Sequence, residues 1–488
     1  MGAEFDGYLI AKSLERDNVE EALSIAVHEG LITKEGKSHK YSFLHDRIQQ
    51  AAYSLVPEGK QKSVHLSICR ALRESLSEEE VEMHLLFLTV NQLSFAVELL
   101  QDQEEKDGFA ALCLRAGVKA MQSSDFKTAV FYFWLGIGLL AKHRHWRDHY
   151  NLSLDLYNAV AEAEYCVANF KKMEFAVEEV LTNATSFTDK IRAYSTRVYS
   201  LGGRNQFREA IDLGLFVLDQ LGETFPAKLH IGKTLLDALK TRIMLHRKTD
   251  SELLNLPDIN NTTKVAAMGM LNLLTCYTFF GAPELFPFVA GRLVRLSLKF
   301  GLCAISAVGF SMYGIVCAGA GDFEGGYRCG QLGVQISERY GDAGVDFVPR
   351  VFSVLYGMTA VWKQPVRSTL DPLLRAHRIG LETGDIEFSM CATSCYCINA
   401  FGAGVSLPSL EEKMKLYLEL MGAYKIELFG ALGGLQLQVL STTTGREGRS
   451  GGEVTRRRRR GRKETTGTTG TSCYCYASCC CCCSPRRS

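Results

Sequence analysis

The chain has 488 residues, 47% of them apolar and 22% charged, which suits a soluble protein of roughly two to four domains and excludes a fibrous or wholly disordered polymer. Its formal charge of +1 hides a division near residue 441: the stretch 441–488 carries 11 Lys and Arg against three acids, a net +8, and leaves −7 on residues 1–440. No basic surface is imposed on the folded part, which counts against nucleic-acid binding there.

The opening, MGAEFDGYLIAKSLERDN, brings in charge too early for a secretory leader. Seven of the 17 cysteines lie after residue 441, and the other ten are scattered in the manner of buried free thiols of a reducing compartment. The expected location is cytoplasmic. Strand signals are confined mainly to the first sixty residues. There, GLITKEGKS at Gly30–Ser38 places five residues between its glycines where a phosphate loop has four, and it runs into extended HKYSF where that loop needs a helix. A hairpin wing turning at Lys34–Lys37 is the better reading. In YSFLHDRIQQAAYSLVP, Leu44, Ile48, Ala51, Ala52 and Leu55 share an apolar helical direction, and Phe43, Arg47 and Gln50 share another. His45 and Asp46 are adjacent, so on a helix they point about 100° apart and do not converge on one substrate. Asp46 suits the positive end of the helix dipole. The pair reads as structural.

From Ser63 to Leu440 the pattern is helix after helix: Val64, Ile68, Leu72 and Leu76 recur at four-residue steps, and Ala129, Phe133, Ile137 and Leu140 do much the same. Turn signals interrupt at Ser123-Ser124-Asp125, Gly202-Gly203, Ala320-Gly321-Asp322 and Gly384-Asp385. Two segments align without a gap, GVKAMQSSDFKTAVFYFWLG and GIVCAGAGDFEGGYRCGQLG. Gly117 precedes Asp125 by the same 8 positions as Gly314 precedes Asp322, each Asp is followed by an aromatic (Phe126, Phe323), and a small residue comes next (Ala129, Gly326). Weaker copies stand at Asn169-Phe170 and Gln206-Phe207. The physical sense of the pattern is an antiparallel helix pair. A small residue lets the helices approach, the Asp turns the chain and caps the second helix, and the aromatic fills the wedge. Arg247–Thr263 reads as an exposed loop dividing the stack.

Three uncharged runs, 265–283, 300–321 and 389–410, are long enough to cross a bilayer, but each carries polar residues or many glycines and none has an aromatic belt. Buried helices are expected. His143, His145 and His149 fall on different helical faces and read as a solvated loop; Cys391, Cys395 and Cys397 lack a fourth ligand and read as packing. No nucleophile elbow, zinc-protease helix or kinase catalytic loop occurs. The tail from Ser441 is low-complexity and expected to be disordered. Its abrupt onset fits translated non-coding sequence better than a domain, and its run Arg456–Lys463 is the one segment suited to nucleic acid.

Phe43, His45-Asp46, Ala52-Tyr53 and Leu55, followed by His65, Ile68 and Leu72, resemble the junction after the ATPase core of large signalling proteins. These are AAA-type ATPases with helical repeats, joined to serine/threonine or hybrid histidine kinases. GAEFD at Gly2–Asp6, EALSIAVHEGLI, LDLYNAVAEAEYCVANFKKME and FREAIDLGLFVLDQLGETFP extend the likeness to about half of the chain, and it thins after Asp250. The resemblance implies a fragment that lacks the ATPase and kinase domains. The repeats also resemble tetratricopeptide repeats, with separations of 44 and 37 between the first copies, longer than the ~34-residue period.

The expected fold is therefore all-α, a degenerate tetratricopeptide-like helical-hairpin solenoid. A winged-helix-like cap occupies 1–60, repeats occupy 61–246 and 264–440 with a loop at 247–263 between them, and a disordered tail occupies 441–488. The expected function is a non-catalytic module that binds a protein partner or neighbouring domains. It has no catalytic, cofactor or metal residues, no small-molecule substrate and no membrane contact. Two alternatives stand: a divergent ATP-binding enzyme around Gly30–Ser38, and a nucleic-acid binder using the cap and the Arg run.

Overall fold

The computed structural model describes residues 4–6, 18–35, 40–75, 83–142, 144–226, 231–424 and 426–443. Gly2, most of the expected wing turn, His143 and residues 444–488 lie outside them. Contacts divide the chain into two compact units, Met1–Thr185 and Ser186–Ser488.

In the first unit, β1 (Glu4–Asp6), β2 (Ile32–Lys34) and β3 (Lys40–Phe43) form an antiparallel sheet in the order β1-β3-β2, with α1 (Val19–His28) between β1 and β2. Alternation buries Ile32 and Tyr41, while the Thr33 and Ser42 hydroxyls meet at 2.8 Å on the exposed side. Then come α2 (Asp46–Ser54), α3 (Glu58–Ser75), α4 (Met83–Ser94), α5 (Gln103–Gln122), α6 (Phe126–Leu139), the single turn α7 (His145–Asp148), α8 (Tyr150–Cys166) and α9 (Phe170–Asn183). Each long helix from α3 onward packs on its successor, and α6 packs on α8 across α7.

The second unit continues with α10 (Phe187–Gly203), α11 (Phe207–Gln220), α12 (Ile231–His246), the short α13 (Asp250–Leu254), α14 (Thr262–Gly281), α15 (Phe286–Phe300), α16 (Ser306–Gly319) and α17 (Phe323–Arg339). The one-turn α18 (Asp342–Val345) and α19 (Val348–Val354) lead through a π turn and two 3-10 turns to α20 (Leu370–Thr383), α21 (Ile386–Gly402), α22 (Leu407–Ala423) and α23 (Glu427–Thr443). The all-α helical-hairpin fold is the one expected. The three uncharged runs form α14, α16 and α21 with their flanks, largely buried, and among the described residues no helix is long and apolar enough to cross a membrane.

Five of the turns between hairpin helices share one geometry. Ser124, Ala168, Asn205, Gly321 and Gly384 are left-handed, and each is followed by the residue that begins the next helix: Asp125, Asn169, Gln206, Asp322 and Asp385. In the first four, that residue's N–H returns to a carbonyl five positions back (Ala120, Glu164, Leu201, Cys317) at 2.8–2.9 Å, which satisfies the closing turn of the preceding helix. The carboxylates of Asp125, Asp322 and Asp385 accept from the N–H groups of Thr128, Gly325 and Phe388, whereas Asn169 and Gln206 make no such side-chain cap. The weaker sequence copies are thus the ones that keep the turn and lose the cap.

The small residues do what close packing requires. A methyl group on Gly117 would collide with the Phe133 ring, and one on Gly314 would stand 2.7 Å from the Gly326 carbonyl oxygen. Ala129 is fully buried. The aromatics behave differently from expectation. Phe126 is half-buried, and Phe323 is 38% exposed and stacked on Trp362 at 4.6 Å between ring centres, so it does not fill a sealed wedge.

Two other expectations are corrected. The segment 247–263 does not divide the stack, since α11 packs directly on α14 and the contact boundary lies at Thr185/Ser186. It is held down instead. Leu253 is fully buried, Arg339 donates to the Leu254 and Leu256 carbonyls and to Asp258, and Asp258 bridges to Leu302. Nor is the histidine segment a solvated loop throughout, because His145 is buried, with Nδ1 3.0 Å from the Ser153 hydroxyl and its ring stacked on Tyr157.

The turn geometry predicts opposite outcomes for two substitutions. Ala168→Gly relieves a left-handed residue and raises the unfolding free energy by about 1 kcal/mol. Asp322→Ala removes a cap and lowers it by about 1 kcal/mol. Urea denaturation of each variant checks both signs.

Candidate functional site

His45 is the N-cap of α2: its Nδ1 accepts the Arg47 N–H at 3.2 Å, and Asp46 opens the first turn, with both side chains exposed. Their roles are those of a helix start. Of the motif residues, Tyr53 and His65 come together. The Tyr53 hydroxyl lies 3.0 Å from His65 Nε2, His65 Nδ1 lies 2.7 Å from Gln92 Oε1, and the imidazole stacks on Phe95 at 4.8 Å. This cluster ties the end of α2 to α3 and α4. Phe43, His45, Asp46 and Ala52 stand outside it. The apolar direction expected on α2 is poorly covered, with Leu44 56% and Leu55 83% exposed.

The densest chemistry lies in the second unit and centres on Arg350 of α19, which is 3% exposed. Its Nε meets Asp385 Oδ2 at 2.8 Å, one terminal nitrogen reaches Asn272 Oδ1 of α14 at 3.2 Å, and the other reaches the Tyr199 hydroxyl of α10 at 2.8 Å. The guanidinium also lies over the Phe388 ring at 4.5 Å. Burial opposes the charge, but Asp385 beside it holds the guanidinium above its ordinary value. Every face of the cation is engaged.

Next to it sits Glu387, the second residue of α21 and also buried. Its carboxylate accepts from the Tyr277 hydroxyl at 3.1 Å and lies 3.8 Å from the Cys276 sulfur. Burial pushes its pKa up to about 7, against the pull of Arg350 downward. Gly202 makes the arrangement possible, since any side chain there would strike the Tyr277 ring. Four helices are thereby joined by a largely buried network.

The thiol and histidine candidates disperse. Cys391, Cys395 and Cys397 are buried and form no disulfide, and burial pushes Cys397 up to about 12. His149 pairs with Asp107 at 2.8 Å, away from the Ser153 partner of His145. Among the described residues no group of three or more His, Cys, Asp or Glu is placed to hold a metal. Sequence reading passed over Arg350 and Glu387. The available signal was a single charge within FVPRVFSV and within IEFSMCATSC, because an isolated charge in an apolar segment demands a buried partner.

No family model matches the chain. Over 351 residues it is 23% identical to hybrid signal transduction histidine kinase G of Dictyostelium discoideum, an alignment covering 62% of this chain and 10% of that protein. The chain therefore spans about a tenth of that relative's length. A crystal structure of a signal transduction ATPase with numerous domains and a tetratricopeptide repeat sensor, from Pyrococcus horikoshii, superposes with a TM-score of 0.38 at 13% identity. That superposition covers 91% of this chain and 58% of that one. The sequence similarity to a signalling kinase agrees with the resemblance carried by the motifs.

The network sets a pH dependence. Because the folded pKa of Glu387 lies above the ordinary 4.5, the unfolded chain releases the proton first as pH rises. Stability then falls between about pH 4.5 and 7 by on the order of 3 kcal/mol at most and is level above that window. Glu387→Gln cannot ionise, so its stability relative to wild type rises across the same window in chemical denaturation. Arg350→Met strands Asp385 without its buried partner and costs about 3–5 kcal/mol.

Proposed function

We propose that this chain is a non-catalytic, regulatory helical-repeat region of a signal-transduction protein, acting through contacts with a protein partner or with neighbouring domains. The observation that carries the reading is the fate of the buried polar groups. Those with the strongest chemistry are each matched inside the core, Arg350 by Asp385 and the nearby Glu387 by the Tyr277 hydroxyl, which leaves helix surfaces to do the work. Similarity to a hybrid histidine kinase supports the signalling context. The small sheet with α1 and α2 serves as a winged-helix-like cap over residues 1–60, and the hairpins form the repeat arrays. Function then arises from differential contact: an attached ATPase or kinase is held in one state until a partner shifts the balance by a few kcal/mol. The described cysteines form no disulfide, which supports the cytoplasmic assignment. Nucleotide binding at Gly30–Ser38 is disfavoured because Ile32–Lys34 is a strand paired to β3, not a loop opening a helix.

Equilibrium titration with a fluorescent ATP analogue tests the reading. No saturable binding and no ATP turnover are expected, and stoichiometric binding would refute a non-catalytic role. DNA affinity measured against salt gives the parallel check. Any binding is expected to vanish when 444–488 is removed, and retention with a steep salt slope would instead make the cap a nucleic-acid reader.

A further inference from the structure

We propose that α12 is a docking ridge for an acidic amphipathic helix of a protein partner, with Leu236, Leu239 and Ile243 as its apolar line and Lys240 and Arg247 as its charge. This deepens the interaction-module reading and rests on it.

The helix stands outside the regular succession of hairpins. The long helices before and after it, α11 and α14, pack on each other, while α12 lies against α15. Its inward side is well anchored. Thr241 and Leu245 are buried, Arg295 pairs with Asp237 at 2.8 Å and donates to the Thr241 hydroxyl, and the Tyr313 hydroxyl donates to the Ala238 carbonyl at 2.9 Å. A surface helix fixed in this way normally turns polar residues outward. This one turns leucines outward. Leu236 is 69% exposed, Leu239 51% and Ile243 43%, and their i, i+3, i+7 spacing aligns them on one face over about 10 Å of helix. Gly232 continues the line, with nothing within 4 Å of the position a side chain would take.

Charge selects the occupant. At about 100° per residue, Lys240 and Arg247 border one edge of the line, and Arg242 and His246 border the other. Arg242 is engaged with Asp322 at 3.3 Å and Asp237 is engaged with Arg295. Lys240 and Arg247 are exposed and make no ion pair among the described residues, so the uncompensated charge along the ridge is positive. A partner helix with an apolar stripe between carboxylates is complementary in both respects, and a ridge two turns long fits one laid alongside it at a shallow angle. Carboxylates of the partner also gain from the cations without either charge being fully desolvated.

The test uses the full chain and a synthetic, fluorescently labelled peptide of about 18 residues, long enough to be helical. It carries leucines at i, i+3 and i+7 between glutamates, and a twin carries lysines in place of the glutamates. Anisotropy titration is expected to show saturable binding of the acidic peptide that weakens with salt. Leu236→Ser/Leu239→Ser should weaken it by about tenfold or more, and Lys240→Glu/Arg247→Glu should reverse the preference toward the lysine twin. The basic tail contributes equally in every variant, so differences between variants report α12 alone. These positions are exposed, and unchanged urea midpoints confirm that each variant folds. Equal affinity of all variants for the acidic peptide overturns the proposal. So does co-sedimentation, lost in the same variants, with phosphatidylcholine vesicles holding about 30% phosphatidylserine, which would assign the ridge to a lipid surface. A concentration-dependent dimer abolished by the leucine substitutions would assign it to a second copy. Failure here with no nucleotide binding leaves the non-catalytic reading standing; nucleotide binding removes that reading whatever the peptides do.

Discussion

Two antiparallel helices can pack face to face only if the chain reverses within a few residues without leaving buried backbone groups unbonded. In five turns here that reversal depends on one left-handed residue. Ser124, Ala168, Asn205, Gly321 and Gly384 all adopt it, and the residue that follows both closes the old helix and opens the new one. Only two of the five are glycine, so three turns hold a conformation that a side chain disfavours by roughly 1 kcal/mol or more. Packing supplies the compensation: Phe133 beside Gly117, and the near-contact of α16 and α17 at Gly314 and Gly326, bring the helices close enough for dense side-chain burial on both sides of each turn.

The second constraint is electrostatic. Arg350 enters a core in which its charge would be prohibitive if unpaired, so Asp385, Asn272, Tyr199 and Phe388 must arrive together from three other helices or helix ends. Asp385 has two tasks. It caps α21 through the Phe388 N–H and it neutralises Arg350. A register shift in α21 would therefore break a turn and strand a cation at once. Replacing such a network by apolar residues can leave stability unchanged, whereas removing one partner alone leaves a buried charge uncompensated, so the groups on α10, α14, α19 and α21 are costly to change singly.

Legibility in the sequence followed the range of the interactions. The hairpin turns were readable because cap, aromatic and small residue lie within about a dozen positions, and the start of α2 at His45-Asp46 was readable from local spacing alone. Exposure was not. Phe323 carries the repeat pattern yet stacks on Trp362, which no local rule anticipates. The segment 247–263 looked like an exposed divider because Asp, Asn, Pro and Thr dominate it, whereas Arg328 and Arg339, roughly eighty positions away, hold it against α17. The Arg350 network was invisible for the same reason. Tyr199 and Arg350 are 151 positions apart, and nothing in either neighbourhood names the other.

These constraints together decide where function can reside. The core's charges are consumed in bonds between helices, and left-handed turns that must keep their geometry are poor places for a moving part. The surface of inserted elements is different. Because α11 already packs on α14, α12 is free of the demand to hold hairpins together, and its outward face can vary without disturbing any turn or the Arg350 network. Lys240 and Arg247 are likewise unneeded by the fold. Apolar side chains kept in water next to unpaired cations, on a helix firmly anchored by Arg295 and Tyr313, are a burden on the isolated chain that only an occupant relieves.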